Sequence, residues 1–264
     1  MDLGINKKRA LLLASSSGLG YAAALALASE GVHVCVSGSD RGRAEAAARQ
    51  ISSETGGTAV GLHGDLADPA NMIALHTNAT TALNGSIDIL LLNHGGPPLR
   101  KALEVSNAEL SKHANNMMLS LIRVSQIALP NMRTGKWGRI IMVGAPAVGE
   151  PIPNNVLSNL FRGSMANYCK TLAGEVISDG VTVNIISPSA IRTERTTDTA
   201  KQRGALKGIS GEEEMAAREA GTIAQRFGTP KEFGAMVAFM ASDLASYTTG
   251  VNIRVDGGSA MGII

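Results

Sequence analysis

Short apolar runs alternate along the chain with longer segments in which apolar residues recur at helical spacing. Most of the short runs are apolar at every position, which is typical of strands that are buried on both faces of a parallel sheet. Asp68-Pro69 predicts the N-cap and first residue of the third helix, and Pro130 marks the predicted end of the fourth. The predicted strands are 10–13, 32–37, 58–62, 87–92, 138–143, 181–186 and 250–255, and the predicted helices are about 19–30, 41–54, 69–83, 107–129, 155–178 and 231–241.

This alternation predicts an α/β protein with a single-domain Rossmann fold over residues 1–264, built on a doubly wound parallel seven-stranded sheet. A chain of 264 residues suits one large domain of this kind. Ligands of such folds bind outside the carboxyl ends of the strands. The long charged segment 187–225 reads as a loop at that edge, and we expect a substrate lid at about 190–225.

A serine- and glycine-rich turn lies between the first predicted strand and the first predicted helix. This context favours a nucleotide site, because backbone N–H groups at a helix N-terminus attract an anion such as a pyrophosphate. Glycines there allow the close approach of a ligand or of another backbone segment. The turn predicts cofactor contacts from Ser15, Ser17, Gly18, Leu19 and Gly20.

Composition and charge argue against several other functions. A net charge of +2 and an aromatic content of 3% give no reason to expect nucleic acid as a partner. No apolar run reaches the length of about 18 residues that a membrane span needs, so we expect no membrane and a cytoplasmic location. Cys35 and Cys169 are predicted to be buried free thiols, and no residue spacing predicts a metal site.

Six short motifs follow one another along the chain. They are Ser17-Gly18-Leu19-Gly20, Gly64-Asp65-Leu66, Asn93-His94-Gly95-Gly96, Asn184 with Pro188 to Thr193, Arg226-Phe227-Gly228-Thr229-Pro230, and Thr249-Gly250 with Val255-Asp256-Gly257-Gly258. With these motifs in this order, the chain resembles the short-chain dehydrogenase/reductase family over essentially its whole length. It is most similar to members of the 3-oxoacyl-carrier-protein reductase type.

The resemblance implies further cofactor contacts. Asp65 and Leu66 would meet the adenine, Asn93 would brace the strand behind the cofactor, and Gly95 would let the backbone pass close to it. Turn formation is the alternative role for such loop residues. The segment that begins at Pro188 would supply Ile191 and Thr193 to the nicotinamide carboxamide.

The end of the second strand favours NADP, with NAD as the alternative. NAD enzymes usually place an acidic residue there for the ribose 2′-hydroxyl, and Ser37-Gly38 offers none. Ser39, Arg41 and Arg43 could instead bind a 2′-phosphate. The alternative is that both arginines are solvated residues at a helix start, while Asp40 caps the helix.

The catalytic pattern of the family is missing. Its members use Asn, Ser, Tyr and Lys, the last two spaced Tyr-x-x-x-Lys. None of the three tyrosines of this chain has a lysine four residues later, and Tyr168 is interpreted as a packing residue. Counting from the neighbouring motifs places the four positions at Met117, Ala145, Ser158 and Arg162.

Three hypotheses remain open. The first is an NADP-dependent oxidoreductase with a rebuilt site that transfers a hydride to a small carbonyl or conjugated C=C substrate. Its catalytic candidates are Ser158, Arg162, His94 and Asn116, with Arg162 also placed to reach the ribose and His94 the best candidate acid. The second is a conventional 3-oxoacyl or sugar/polyol reductase with substituted acid groups. The third is a nucleotide-binding protein without turnover. The resemblance also implies a homotetramer or homodimer formed through helices 107–129 and 155–178.

Overall fold

One parallel sheet organises the chain in the computed structural model, which describes residues 1–260 and 262 apart from the side chains of Gln202 and Leu206. Within these residues the sheet has seven strands in the order β3-β2-β1-β4-β5-β6-β7, and every neighbouring pair is parallel. The strands are β1 (Arg9–Leu12), β2 (His33–Gly38), β3 (Ala59–His63), β4 (Ile89–Leu92), β5 (Gly138–Val143), β6 (Val181–Pro188) and β7 (Asn252–Val255). The predicted doubly wound Rossmann sheet is confirmed.

Helices cover both faces of the sheet. The helices are α1 (Gly18–Ser29), α2 (Arg41–Thr55), α3 (Asn71–Ala82), α4 (Asn107–Ala114), α5 (Ser120–Thr134), α6 (Val156–Val176), α7 (Glu194–Lys207), α8 (Gly211–Ala220) and α9 (Pro230–Met240). Residues of α1, α2 and α9 form one apolar core with the sheet, and residues of α3, α5 and α6 form the other.

The continuous apolar strands are explained by these two cores. Successive side chains of a strand point to opposite faces, so Leu90 packs in the core on the α3 side while Ile89 and Leu91 pack in the core on the α1 side. A polar residue at either kind of position would be buried without water. The same geometry buries Cys35 and Cys169 as free thiols, as predicted, and burial raises the pKa of each to about 12.

The prediction of a long loop over 187–225 is wrong. This segment forms α7 and α8, which pack on each other around Ala200, Met215 and Phe227. Cap residues explain the two helices: the Thr193 side chain accepts from the Thr196 N–H, and Ser210 begins a capping box. These short polar signals were present in the sequence, but the charged surface of the segment concealed them.

Three further helix boundaries differ from the prediction. Helix α5 continues through Pro130 to Thr134, because Met132 beyond the proline is buried in the core. Asp68-Pro69 forms a turn before α3 rather than its cap, with the Asp68 side chain accepting from the Ala70 N–H at 2.9 Å. The predicted helix 107–129 is divided by a π-helical turn at Asn115–Leu119, a distortion that often lies at functional sites.

Candidate active site

In a doubly wound sheet the ligand-binding crevice lies at the switch point, where two strands that are not consecutive in the chain are neighbours. In this sheet β1 and β4 form the switch point. The turns after these two strands are joined by one side chain. Asn93, which follows β4, donates from Nδ2 to the backbone oxygen of Ala14 at 2.9 Å. Asn93 therefore braces the two turns against each other, in the position where the resemblance had placed it.

The turn after β1 is held by Ser15, which is fully buried. Its N–H donates to the Ser37 carbonyl at 2.7 Å, and its Oγ donates to the Leu13 carbonyl at 2.7 Å. Gly20 packs against this residue so closely that an added Cβ would lie 2.6 Å from Ser15 Cα. Ser15 and Gly20 thus shape the turn rather than facing an open space.

Helix α1 begins with free hydrogen-bond donors. Ser17 is its N-cap residue, but the Ser17 side chain makes no cap bond, and the first turn holds no acidic residue. Gly18 has a positive φ of 58° and open space where a Cβ would project. Leu19 packs partly into the core on the α1 side. Ser17 and Gly18 line a cavity of about 1540 Å³ that runs between α1, α2, α7 and α9.

Basic side chains follow β2, but only one of those predicted lines this cavity. Ser39 and Arg41 are exposed, and Asp40 caps α2 by accepting from the Arg43 N–H at 2.8 Å. The Arg43 side chain lines the cavity together with Ser16 and Ser17. The structure therefore places Arg43, rather than Arg41, on the lining of this cavity, where Arg43 Nε lies 3.8 Å from Asp40 Oδ2.

The turn after β3 partly satisfies its own polar groups. Asp65 Oδ1 accepts from the Ala67 N–H at 2.9 Å, which is an Asx turn, and Leu66 is buried with its carbonyl accepting from Ser120 Oγ at 2.8 Å. Asn115 of the π-helical turn donates to the Ala67 carbonyl at 3.0 Å. The segment is therefore tied to the helix that carries Asn116.

The segment after β6 leads into the predicted lid. Pro188 ends β6, and the buried Ile191 forms a bridge with Gly228. Thr193 caps α7 and also lines the large cavity, opposite Ser17 and Gly18. The two motifs therefore meet at one cavity, although Ile191 is held in the protein interior.

His94 is buried at the carboxyl end of β4. Its Nδ1 bonds the Gly95 carbonyl at 2.7 Å, and this bond assigns the ring proton to Nδ1. Its Nε2 is buried without a protein partner. Burial, together with the charge of Arg162, lowers the pKa of His94 to about 3. His94 is therefore neutral near pH 7 and offers an acceptor, which gives no support to the predicted acid role.

The four positions that the motif count assigns to the catalytic groups hold side chains of different chemistry. Met117 is buried in an apolar cluster with Leu157 and Phe161. Ala145 begins a short 3₁₀ turn after β5, and Ser158 is buried in the first turn of α6. None of these three side chains is a general acid near pH 7.

Arg162 lies one helical turn after Ser158. Its terminal nitrogen Nη1 donates to the carbonyls of Val143 and Gly144, at 2.6 and 2.7 Å. Its Nε is buried without a protein partner. Burial and the neighbouring charge of Arg195 lower the pKa of Arg162 to about 10, so the guanidinium remains cationic near pH 7.

Several buried polar atoms of the described part of the chain have no protein partner. They include His94 Nε2, His113 Nδ1, Asn116 Oδ1 and Arg162 Nε. His94 lies within electrostatic reach of Arg162 and His113. A buried polar atom without a partner costs about 1–3 kcal/mol, so the hydrogen-bonding capacity of these groups is available to a bound molecule.

Arg195 and His113 were missed by the sequence reasoning. The Arg195 guanidinium lies against Gly96, and its Nη2 donates to the Pro97 carbonyl at 3.4 Å. The sequence feature that could have identified Arg195 is its position two residues after Thr193, within the segment predicted as the lid. Tyr168, by contrast, is half-buried against the core on the α3 side, and burial raises its pKa to about 12, in agreement with a packing role.

Among the described residues, no helix combines the length and the hydropathy that crossing a membrane requires.

The family described as enoyl-(acyl carrier protein) reductase matches residues 13–260. The 3-oxoacyl-[acyl-carrier-protein] reductase FabG of Escherichia coli is 30% identical over 268 residues, which cover 96% of this chain and 98% of that relative. L-Sorbose reductase of Gluconobacter frateurii, solved with NADPH and L-sorbose, is 28% identical with a TM-score of 0.95 over 100% of both chains. A 3-oxoacyl (acyl-carrier-protein) reductase of Agrobacterium tumefaciens, solved with NADP bound, is 27% identical with a TM-score of 0.88, covering 97% of this chain and 96% of that one. With a family match over nearly its whole length and the seven-stranded sheet of its relatives, the chain belongs to the short-chain dehydrogenase/reductase family of NAD(P)-dependent oxidoreductases.

Proposed function

We propose that this protein is an NADP(H)-dependent reductase that transfers a hydride to a small substrate carrying a conjugated C=C bond. The observation that carries the proposal is Arg162. Arg162 is a buried cationic guanidinium with an unpartnered Nε–H. The motif count assigns it to the position of the family's lysine, and it assigns Ser158 to the position of the tyrosine. Such a site stabilises developing negative charge but does not deliver a proton.

The cofactor half of the proposal rests on the fit of the large cavity. The first turn of α1 offers N–H groups and the Ser17 hydroxyl to a pyrophosphate, with open space beside Gly18. Arg43 and Ser16 line the same cavity and suit a 2′-phosphate. The relatives solved with NADPH or NADP bound support this preference. Ser39, Asp65 and Leu66 follow β2 and β3 at the carboxyl edge of the sheet and do not line this cavity; they are proposed as further cofactor contacts.

When bound at this site, NADPH would supply a hydride, the equivalent of a proton and two electrons, with NADP⁺ as the oxidised product. The new C–H bond forms at the β-carbon of the substrate as the C=C bond breaks, and the electron pair of that bond moves onto the carbonyl oxygen as an enolate. Arg162 Nε–H and the Ser158 hydroxyl are the donors that would hold this oxygen. A proton from water completes the α-carbon.

The proton requirement favours this reaction over ordinary ketone reduction. A ketone needs a proton at the developing alkoxide, and a positioned general acid contributes about 10²–10⁴-fold. Neither Arg162 nor the neutral His94 supplies that proton near pH 7. An enolate needs only donors, because its carbon is protonated by solvent in a later step.

Turnover assays test the proposal. NADPH oxidation is followed with a panel of enones, ketones and polyols, and enone reduction is expected to exceed ketone reduction. The triple variant with Ala145→Ser, Ser158→Tyr and Arg162→Lys is expected to gain ketone reduction and lose enone reduction. NADPH binding without any turnover would instead favour a nucleotide-binding protein. The absence of binding up to millimolar NADPH would contradict both enzyme hypotheses, the enone reductase and the conventional reductase.

The helical segment α7–α8 is proposed to serve as the substrate lid, since Thr193 and Arg195 at its start border the site. A homotetramer or homodimer and a cytoplasmic location remain predictions. Leu119 and Leu160 are exposed on the two helical segments predicted for the subunit interface, which is compatible with burial in an oligomer.

A further inference from the structure

Two guanidinium groups flank the candidate site from different elements. Arg162 projects from α6 to the end of β5, where it bonds Val143 and Gly144. Arg195 projects from the first turn of α7 and lies against Gly96, beyond the end of β4. Because β4 and β5 are neighbouring strands, both groups are brought to the same part of the sheet edge.

The Arg195 side chain is exposed and has few partners within the protein. None of the ion pairs formed within the described residues includes Arg195 or Arg162. Its bond to the Pro97 carbonyl is 3.4 Å long, beyond the usual range of 2.7–3.2 Å. Packing against a glycine needs no charge. Arg195 therefore keeps most of its donors for another partner.

The surroundings of Arg195 are cationic or neutral. The charge of Arg195 lowers the pKa of Arg162 and that of His94, which shows that the three groups are within electrostatic reach. His94 itself offers a lone pair rather than a charge. Two cationic groups within electrostatic reach of each other attract an anion to the space between them.

We propose that Arg195 determines substrate specificity by binding a carboxylate of the substrate, while Arg162 faces the reacting carbonyl. This inference rests on the proposed function and adds the substrate class: a small acidic enone. A guanidinium edge matches a carboxylate in a bidentate pair, which fixes orientation as well as charge. The lid residue would then engage the end of the substrate opposite to the carbonyl that Arg162 faces.

Equilibrium binding tests the inference separately from turnover. The probes are β-acetylacrylate, an enone carboxylate, and its methyl ester, which has the same conjugated system without the charge. Calorimetry measures both on the free protein and on its NADP⁺ complex, in which no hydride is available. Binding of the acid is expected to exceed binding of the ester by about tenfold or more, as a charge-assisted pair implies.

Variants of one helix provide the matched comparison. Arg195→Gln is expected to weaken binding of the acid about 10–100-fold and to leave the ester and NADP⁺ unchanged. Arg195→Lys should keep part of the preference. Arg203→Gln removes an exposed arginine further along α7 and should change nothing. Thermal unfolding confirms that each variant is folded.

Two results would overturn the inference. Equal binding of acid and ester by the unsubstituted protein would mean that the site does not select a carboxylate. A loss of NADP⁺ affinity in Arg195→Gln, with the acid preference retained, would assign the guanidinium to the cofactor. Failure of enone turnover alone would defeat the proposed reaction but not the binding result.

Discussion

Gly20→Ala is the sharpest test of the serine turn as a cofactor site. The added Cβ would lie 2.6 Å from Ser15 Cα, whereas non-bonded carbons prefer about 3.5–4.0 Å. The neighbouring atom is backbone, and Ser15 is fixed by its bonds to Leu13 and Ser37. The turn therefore has to move by about 1 Å relative to the start of α1.

The cost follows from that displacement. Overpacking of this kind costs about 1–3 kcal/mol, and the better helix propensity of alanine returns up to about 1 kcal/mol. We expect a net loss of stability of about 1–2 kcal/mol, which lowers the melting temperature by a few degrees. Misplacing one N–H donor to a phosphate removes about another 1.5–3 kcal/mol of binding, or about tenfold or more in NADPH affinity.

Fluorescence titration with NADPH and thermal unfolding measure the two effects. Gly174→Ala is the matched control, because Gly174 is exposed within α6 and nothing lies within 4 Å of an added Cβ. The control should be at least as stable as the parent protein and should bind NADPH equally well. A folded Gly20→Ala protein with unchanged NADPH affinity would refute the placement of the pyrophosphate at this turn.

Two further predictions concern charge. Arg43→Gln should weaken NADPH binding about tenfold or more without changing NADH binding, while Arg41→Gln should have a smaller effect; equal effects in fluorescence titrations would contradict the placement of Arg43 in the cavity. Burial lowers the pKa of His94 to about 3 from its ordinary 6.5. Below pH 6.5 the unfolded chain therefore takes up a proton that the folded protein excludes. As the pH is lowered, this uptake decreases the free energy of unfolding by at most about 1.4 kcal/mol per pH unit. His94→Gln should reduce the loss of stability between pH 7 and pH 4 in urea unfolding, and an unchanged loss would show that His94 is not the group responsible.

Local sequence was sufficient to predict the strands of the sheet and the position of the serine turn. Apolar runs mark strands that are covered on both faces, and glycines mark sites that no side chain can occupy, as the contact between Gly20 and Ser15 shows. The absence of the Tyr-x-x-x-Lys pair was equally visible in the chain. The segment 187–225 was predicted wrongly as a loop, because its helices depend on caps such as Ser210 rather than on a strong apolar pattern.

What the side chains do at the site depended on the tertiary structure. A histidine in a sequence carries no information about its burial, and only the fold encloses His94 beside Arg162 and keeps its ring neutral. Likewise, Arg195 and Arg162 are separated by 33 positions in the chain and act on one another only because β4, β5 and the lid meet at one edge. Spacing along the chain predicts which elements form, because their hydrogen bonds and side-chain directions are local. Electrostatics at the crevice is decided by distances through space and by exclusion of water, and these exist only once the elements have packed.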